Sequence, residues 1–385
     1  MHIQFGLSRQ AFHSEYHEKN YLLLRGALRN APFSMADIDQ VLHATEPTGP
    51  MMRINNNGTF VPEEAFVEVY NDLGTMRRRV IRQNFYALLK GGATLILNRV
   101  DARQRLIRAL CLEVSQFTSQ HTLANGYLAF GDKASFGKHW DCHDVFAVQL
   151  HGRKRWQLFR PTMELPLPSQ TSRDVKSECP AEPDLDIILE AGDVLYVPRG
   201  WWHCATPIGE ETFHVAIGVH PPYVSEYINW LCSTKLPEFL SCRRSMRFGA
   251  DNLALVQAAS QDVLAALANE ANLAEYLALI NHSDRVQSPF NLREGVSGAP
   301  ATMPADTEVR LNAVYPRAGT DGQVIVNGSA VTLQGVEHDL MLQLCAGQPV
   351  TIAQLESRTG VAGDVVRTGL AGLLARDLVQ LMTPA

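Results

Sequence analysis

The chain has 385 residues, 46% hydrophobic and 19% charged, which is enough to bury one large core or two to three smaller ones in a soluble globular protein. A formal charge of -6, from 34 Lys+Arg against 40 Asp+Glu, excludes nucleic-acid binding through a general positive field and leaves only a local basic patch for that purpose. The polar start MHIQFGLSRQAFHSEYHEKN has no apolar signal region and no run of roughly 18 apolar residues follows, so the expectation is a cytoplasmic protein that neither is secreted nor spans a membrane.

A first region, residues 1–222, reads as mixed α/β. Its YLLLRGAL looks like a buried strand, and FVEVYNDLGTMRRRVIRQNFYALLKGG carries apolar residues at helical spacing. From Thr122 the runs NGYLAF, DVFAVQL, RWQLFRP, DIILEAGDVLYVP and FHVAIGVH follow one another between Gly, Pro and charged turns, the rhythm of an antiparallel sandwich or small barrel whose mouth can hold a ligand. Residues 223–300 change to long helical patterns, VSEYINWLCSTKL and DNLALVQAASQDVLAALANEANLAEYLALI, and end in a Gly/Pro/Ser-bearing linker. Residues 301–385 offer short strands near VRLNAVYP and QVIVNGSAVTL and then three helices, an order that resembles a winged helix. From Thr302 onward there are five Arg and no Lys against eight Asp+Glu, the wrong sign for phosphate, so this module is expected to pack on protein and DNA binding is not expected.

The chemistry concentrates in FGKHWDCHDVFAVQLHGRKRWQLF. His139 and Asp141 are two apart, and on a strand such residues point to the same side. About sixty residues later, DIILEAGDVLYVPRGWWHCATP supplies His203 just past a strand and a Pro-Arg-Gly turn. Two imidazoles and a carboxylate form a facial triad, which leaves adjacent positions on an octahedral metal open, whereas a structural zinc site is closed and tetrahedral. The seven cysteines, Cys111, Cys142, Cys179, Cys204, Cys232, Cys242 and Cys345, are odd in number and lack a CxxC, as reduced thiols would be.

Beyond the bare HxD…H, the order of strand, HGRKRW turn, GDVLYVPRG and second His over about Asn125 to Val219 resembles the JmjC branch of the cupin superfamily. The three-part layout resembles its ribosomal oxygenases. That resemblance implies an α+β fold: a double-stranded β-helix (jelly-roll, cupin) barrel with flanking helices, then a helical homodimerisation module and a C-terminal winged-helix-like domain. It also implies a dioxygenase that uses Fe(II), 2-oxoglutarate and O2, releases succinate and CO2, and hydroxylates a side chain of a polypeptide such as a ribosomal protein. By the same resemblance His139, Asp141 and His203 are the iron ligands, and Lys154, on the strand after the HxD, pairs with the distal carboxylate of 2-oxoglutarate. Tyr127 falls where the family lines its cosubstrate and substrate cleft, and Asn125 where it lines the substrate cleft.

Other residues receive plainer expectations. Arg153 and Arg155 alternate away from Lys154; His143 lies on the metal side without being a ligand; His214 packs in the barrel wall. Cys142 and Cys204 turn away from the metal, and Asp193 belongs to its turn. The competing functions are a hydroxylase of a small molecule, amino acid or carrier-bound peptide on the same scaffold, and a non-catalytic cupin-like binding or regulatory protein.

Overall fold

The computed structural model describes residues 1–29, 33–283, 286, 288–297, 303–315, 317–318, 323–345 and 349–382, and divides into two compact units, Met1–His220 and Pro221–Ala385. The first unit contains strands β1 (His2–Ile3), β2 (Leu22–Leu24), β3 (Leu28–Arg29), β4 (Met52–Asn56), β5 (Thr59–Phe60), β6 (Val67–Asp72), β7 (Thr75–Val80) and β8 (Thr94–Leu97). It continues with β9 (His121–Ala129), β10 (Asp144–His151), β11 (Lys154–Phe159), β12 (Leu185–Leu189), β13 (Val194–Val197), β14 (Trp202–Pro207) and β15 (Thr212–His220). Helices α1 (Arg9–Glu15), α2 (Met35–His43), α3 (Arg82–Lys90) and α4 (Arg105–Thr118) accompany them.

Period-two alternation makes two opposed sheets. The larger has the order β2-β13-β10-β15-β9-β8-β4-β5, the smaller β12-β11-β14, and every pairing in them is antiparallel. On its outer face the larger sheet presents Phe146, Val148, Val215, Ile217 and Val219, which pack with Phe12 of α1 and with Leu110, Val114 and Phe117 of α4. Its inner face presents Ala147, Leu195 and Val197 to Trp156, Leu158 and Leu189 of the smaller sheet. Apolar runs such as DVFAVQL are buried on both sides because each face has its own core. Burying one such large side chain is worth about 1.5–3 kcal/mol, so the inner core holds the two sheets at a fixed separation and the outer core holds the helices on the larger sheet. This is the cupin-type arrangement, with the space between the sheets at the centre.

Two expectations from the sequence are corrected here. The segment from Phe66 to Gly92 is not one helix: β6 and β7 form a hairpin before α3 begins at Arg82. Its turn decides this, because Leu73 and Gly74 have positive φ of 50° and 86° and Asn71 accepts the Gly74 N–H. YLLLRGAL is likewise interrupted rather than one strand. Asp193 takes the Gly26 N–H at 2.8 Å and the Arg25 guanidinium at 2.6 Å, which bends the chain between β2 and β3.

The second unit begins with α5 (Val224–Thr234), α6 (Leu253–Leu267), α7 (Glu270–Ser283) and α8 (Leu292–Ser297). The long helical pattern breaks at Asn269, whose side chain accepts the Ala271 N–H, and α6 and α7 meet at a 63° bend. Among the described residues no single helix is long and apolar enough to cross a membrane, although this bent pair passes on length and composition together. Then come β16 (Glu308–Leu311), β17 (Arg317–Ala318), β18 (Gln323–Val326), β19 (Ser329–Thr332), α9 (Gly335–Leu344), β20 (Val350–Thr351), α10 (Ile352–Thr359), α11 (Gly363–Ala375) and β21 (Val379–Met382). Strands β20-β16-β21 form one sheet and β17-β18-β19 another. Val309, Leu340, Leu355, Leu370 and Leu373 share a core separate from the one around Tyr227, Leu231 and Tyr276.

Candidate metal centre

His203 sits in β14, immediately past the Pro198–Gly200 turn that ends β13. Gly200 makes that turn possible: its φ is +83°, and a Cβ there would lie 2.4 Å from the Met163 carbonyl oxygen. His139 and Asp141 do not stand on a strand, contrary to the expectation from their spacing. They lie in the irregular segment between β9 and β10, where His139 makes one antiparallel bridge to His203 through backbone bonds of 3.1 and 2.7 Å. The Asp141 carbonyl then takes the Gly200 N–H at 3.0 Å, and Ser172 holds both backbone groups of Trp140 at 3.1 Å. Crossing the mouth in this way, rather than extending the ladder, puts both side chains over the second histidine.

The three side chains meet. One ligand atom from each of His139, Asp141 and His203 falls within 4.8 Å of the others, His203 Nε2 stands 3.6 Å from Asp141 Oδ2, and the two imidazole centroids are 4.3 Å apart. Each ring is fixed from behind: His139 Nδ1–H donates to the Gly137 carbonyl at 3.0 Å and His203 Nδ1–H to the Trp201 carbonyl at 3.1 Å. Those bonds select the tautomer that leaves both Nε2 lone pairs turned toward the carboxylate, the form a divalent metal needs. Burial, aided by His139 and opposed by Asp141, lowers His203 to about 4, so it stays neutral. At Asp141 burial works to raise the carboxyl, but His203, His139 and His143 outweigh it and hold it below its ordinary value. Two imidazoles with Nδ1 tied to carbonyls and one carboxylate therefore suit an octahedral divalent cation of the iron class with positions left open.

Deeper between the sheets, Lys154 opens β11, the second strand after the HxD rather than the first, and is 2% exposed. Its ammonium lies 2.9 Å from His214 Nδ1, with Trp156 and Tyr127 as aromatic walls: His214 stacks on Tyr127 at 4.9 Å and meets Trp156 edge-on at 5.3 Å. Burial lowers Lys154 to about 7, and burial together with Lys154 holds His214 well below its usual range. A buried cation of this kind, with an imidazole and no carboxylate for company among the described residues, has the chemistry to accept a small anion. His214 was read from the sequence as barrel wall, yet it faces Lys154. Its register opposite Tyr127 was the only available signal, and that needs the strand pairing to be known.

Tyr127 faces the cleft, with burial raising its hydroxyl above its normal range and Asn125 hydrogen-bonded to it. Asn125 also accepts the Arg99 N–H at 3.0 Å, so it braces the segment that carries Arg99 and Asp101. Phe136 completes the rim between Tyr127 and His139, with centroids 6.2 and 5.8 Å away. As the alternation predicts, Arg153 and Arg155 point outward to Glu210 and Asp186, and Cys204 faces Thr206 on the outer side. His143 is not on a strand; it leaves the triad and stacks on His220. Asp193 holds its turn, as expected.

A second network fixes the ligand-bearing turn. Buried Asp144 accepts the Tyr196 hydroxyl at 2.7 Å and the Arg199 N–H at 2.9 Å, and the Arg199 guanidinium reaches Glu18 at 2.6 Å. Residues that open β10, close β13 and precede His203 are thereby tied to the N-terminal segment.

Residues 99–227 match the family model of the JmjC domain. The bifunctional lysine-specific demethylase and histidyl-hydroxylase NO66 of Drosophila persimilis is 34% identical over 115 residues, 30% of this chain and 16% of that protein. The protein of the same name from Dictyostelium discoideum is 37% identical over 99 residues, 25% of this chain and 19% of its own length. The chain thus spans less than a fifth of the length of either of these relatives. Among solved structures, YcfD, a ribosomal oxygenase from Escherichia coli, aligns over 100% of both chains with a TM-score of 0.59 at 15% identity. Its complex with cobalt and 2-oxoglutarate aligns over 99% of this chain and 100% of that one, with a TM-score of 0.60 and again 15% identity. These likenesses establish a common fold.

Proposed function

We propose, on the premise that residues 99–227 are a JmjC domain, that this protein is an Fe(II)- and 2-oxoglutarate-dependent oxygenase that hydroxylates a side chain of a polypeptide. The observation that carries the reading is the pairing of two sites on one barrel: the His139, Asp141 and His203 donor set, and the buried cation Lys154 beyond it. When bound, the iron with 2-oxoglutarate and O2 supplies the oxidant, the cosubstrate leaving as succinate and CO2 and one oxygen atom becoming the hydroxyl of the product. The chain's own share is positioning. His139, Asp141 and His203 would hold the metal. The Lys154 ammonium neutralises the far carboxylate of the cosubstrate, while Trp156, Tyr127 and His214 exclude water around it.

A polypeptide substrate is supported by the names of the similar proteins, a histidyl-hydroxylase and a ribosomal oxygenase. We further read the chain as three modules: the barrel with its flanking helices, a helical homodimerisation module over 223–300, and a winged-helix-like domain over 301–385 whose acidic balance suits protein contacts rather than DNA.

Anaerobic titration of the metal-free protein with Fe(II) and 2-oxoglutarate, followed by visible absorption, tests the reading. A weak metal-to-ligand charge-transfer band is expected only with both additions, and none in His139→Ala. Folded protein that binds no iron and gives no band would make the barrel a binding module instead.

A further inference from the structure

Glu18 closes a ring of hydrogen bonds that ends on the turn before His203. Its backbone N–H donates to the Tyr196 hydroxyl at 3.0 Å, and that hydroxyl donates to Asp144 Oδ2 at 2.7 Å. Asp144 Oδ1 takes the Arg199 N–H at 2.9 Å, and the Arg199 guanidinium returns to Glu18 Oε1 at 2.6 Å. Tyr196, Asp144 and Arg199 are all buried, so these bonds are stronger than their surface equivalents and costly to leave unmade. From Arg199 the contacts run into the donor set. The N–H of the next residue, Gly200, holds the Asp141 carbonyl at 3.0 Å, and the carbonyl of the one after it, Trp201, takes His203 Nδ1–H at 3.1 Å. One side of the ring thus bears on the carboxylate ligand and on an imidazole ligand through three consecutive residues.

The other side of the ring is strained. Glu18 stands in the turn that follows α1 with φ of +58°, in the left-handed region that glycine and asparagine enter most readily. A chain that needed only a turn here would place one of those residues at the position. Glutamate adds a carboxylate, and that carboxylate meets a guanidinium whose side chain is 8% exposed, where an ion pair is screened far less than at the surface. Backbone strain held in place by buried polar bonds is a sign that the held residue has work beyond the turn. His17, the residue before it, adds its Nε2 3.7 Å from Asp144 Oδ2.

We infer, on the reading of His139, Asp141 and His203 as metal ligands, that Glu18 is a positioning residue for the metal: the N-terminal segment, docked through Glu18, sets the Arg199–Trp201 turn and with it the metal affinity. The coupling runs both ways. A free energy shared between two sites is reciprocal, so a metal on the triad holds the N-terminal segment down by as much as the docked segment favours the metal. Contiguous buried bonds supply the physical link between a residue just after α1 and ligands more than a hundred positions later in the chain.

The test titrates the metal-free, full-length protein with Co(II) and follows the metal's visible absorption, with His139→Ala as the control that the signal comes from the triad. Glu18→Gln keeps the backbone N–H and the side-chain length and removes the charge; Tyr196→Phe keeps the ring in the core and removes the hydroxyl. Each should weaken Co(II) binding at least about fivefold. Glu18→Gln combined with Arg199→Gln should bind no more weakly than Arg199→Gln alone, because Glu18 acts through Arg199. Ile54→Ala opens the core at β4, five strands from β13 in the larger sheet, and should lower the Tm while Co(II) affinity stays unchanged. In the reverse direction, Co(II) should slow amide hydrogen exchange over residues 9–20 by a comparable factor in the unaltered protein and not in Glu18→Gln. Full Co(II) affinity in both ring variants, the same loss of affinity in Ile54→Ala, or exchange over residues 9–20 that ignores the metal would overturn the role of Glu18. No Co(II) uptake by the unaltered protein, or uptake that survives His139→Ala, would instead defeat the metal-centre reading on which that role rests.

Discussion

Lys154 Nζ lies 2.9 Å from His214 Nδ1, so the barrel's innermost cation is partnered by a neutral ring. On the proposed oxygenase reading, this relationship makes cosubstrate binding a protonation event. Lys154 is lowered to about 7, so above that pH the empty pocket loses its ammonium and a dicarboxylate must bring a proton with it. Affinity for 2-oxoglutarate should therefore fall as pH rises through about 7, with net proton uptake on binding at pH 8. Calorimetry in two buffers of different ionisation enthalpy measures that uptake directly. Lys154→Met should abolish it and raise the 2-oxoglutarate Kd about ten- to a hundredfold, the loss of a charge-assisted bond worth about 1.5–3 kcal/mol, while iron binding persists.

The same shift carries a stability signature. A lysine whose folded value lies below its unfolded 10.5 binds fewer protons folded than unfolded between the two, so its burden on the fold is full below about 7 and is relieved as pH climbs toward 10.5. Lys154→Met should raise the Tm of the metal-free protein more at pH 6 than at pH 9. An equal gain at both would mean that the lysine is not held in the low-dielectric site described.

At the metal centre, His203→Ala and Asp141→Ala should each abolish Co(II) binding by titration while the far-ultraviolet circular dichroism stays unchanged. The bridge between residues 139 and 203 is made by backbone atoms and survives side-chain loss. Asp141→Asn is the sharper variant. It keeps the shape and removes the only negative charge in the triad, so a marked loss of affinity with intact fold would assign the effect to charge.

Gly200 is predicted to be as important as a ligand. Gly200→Ala combines a positive φ with a Cβ 2.4 Å from the Met163 carbonyl oxygen, so the turn must move, at a cost of at least about 1–3 kcal/mol. Because the Gly200 N–H also holds the Asp141 carbonyl, chemical denaturation should show the stability loss and Co(II) titration a weakened site together. Loss of stability with full metal affinity would show that the turn does not position the triad.

Much of this arrangement was legible in the chain. The strand runs from Asn125 to Val219 were readable because period-two alternation is a local property, whereas His139, Asp141 and His203 stood out through the HxD…H pattern and its resemblance to the JmjC branch, and Lys154 through that resemblance alone. What escaped was non-local. The i, i+2 rule brought His139 and Asp141 together for the wrong reason, since a single bridge and a serine clamp orient them in a loop. The β6–β7 hairpin was hidden because TMRRRV is fully polar at its centre and its turn uses Leu73 at positive φ, a position normally given to glycine or asparagine. His214 and His220 became visible only when β15 was laid against β9.

The helical module gives the last prediction. On α6, Leu253, Val256 and Leu264 are exposed at 59%, 50% and 66%, and their i, i+3, i+11 spacing places them on one stripe of the helix. Leu273 and Leu279 of α7 are exposed as well. A bare apolar stripe of this kind invites association, and the homodimer read for this module would cover it, provided that the interface reaches the roughly 1,000 Å² a specific complex requires. Sedimentation velocity on the full chain should give a dimer. Leu253→Glu combined with Leu264→Glu should give a folded monomer that still forms the iron and 2-oxoglutarate band, since the triad and Lys154 lie in the other unit. A monomer before mutation, or a dimer unaffected by the two glutamates, would place the interface elsewhere.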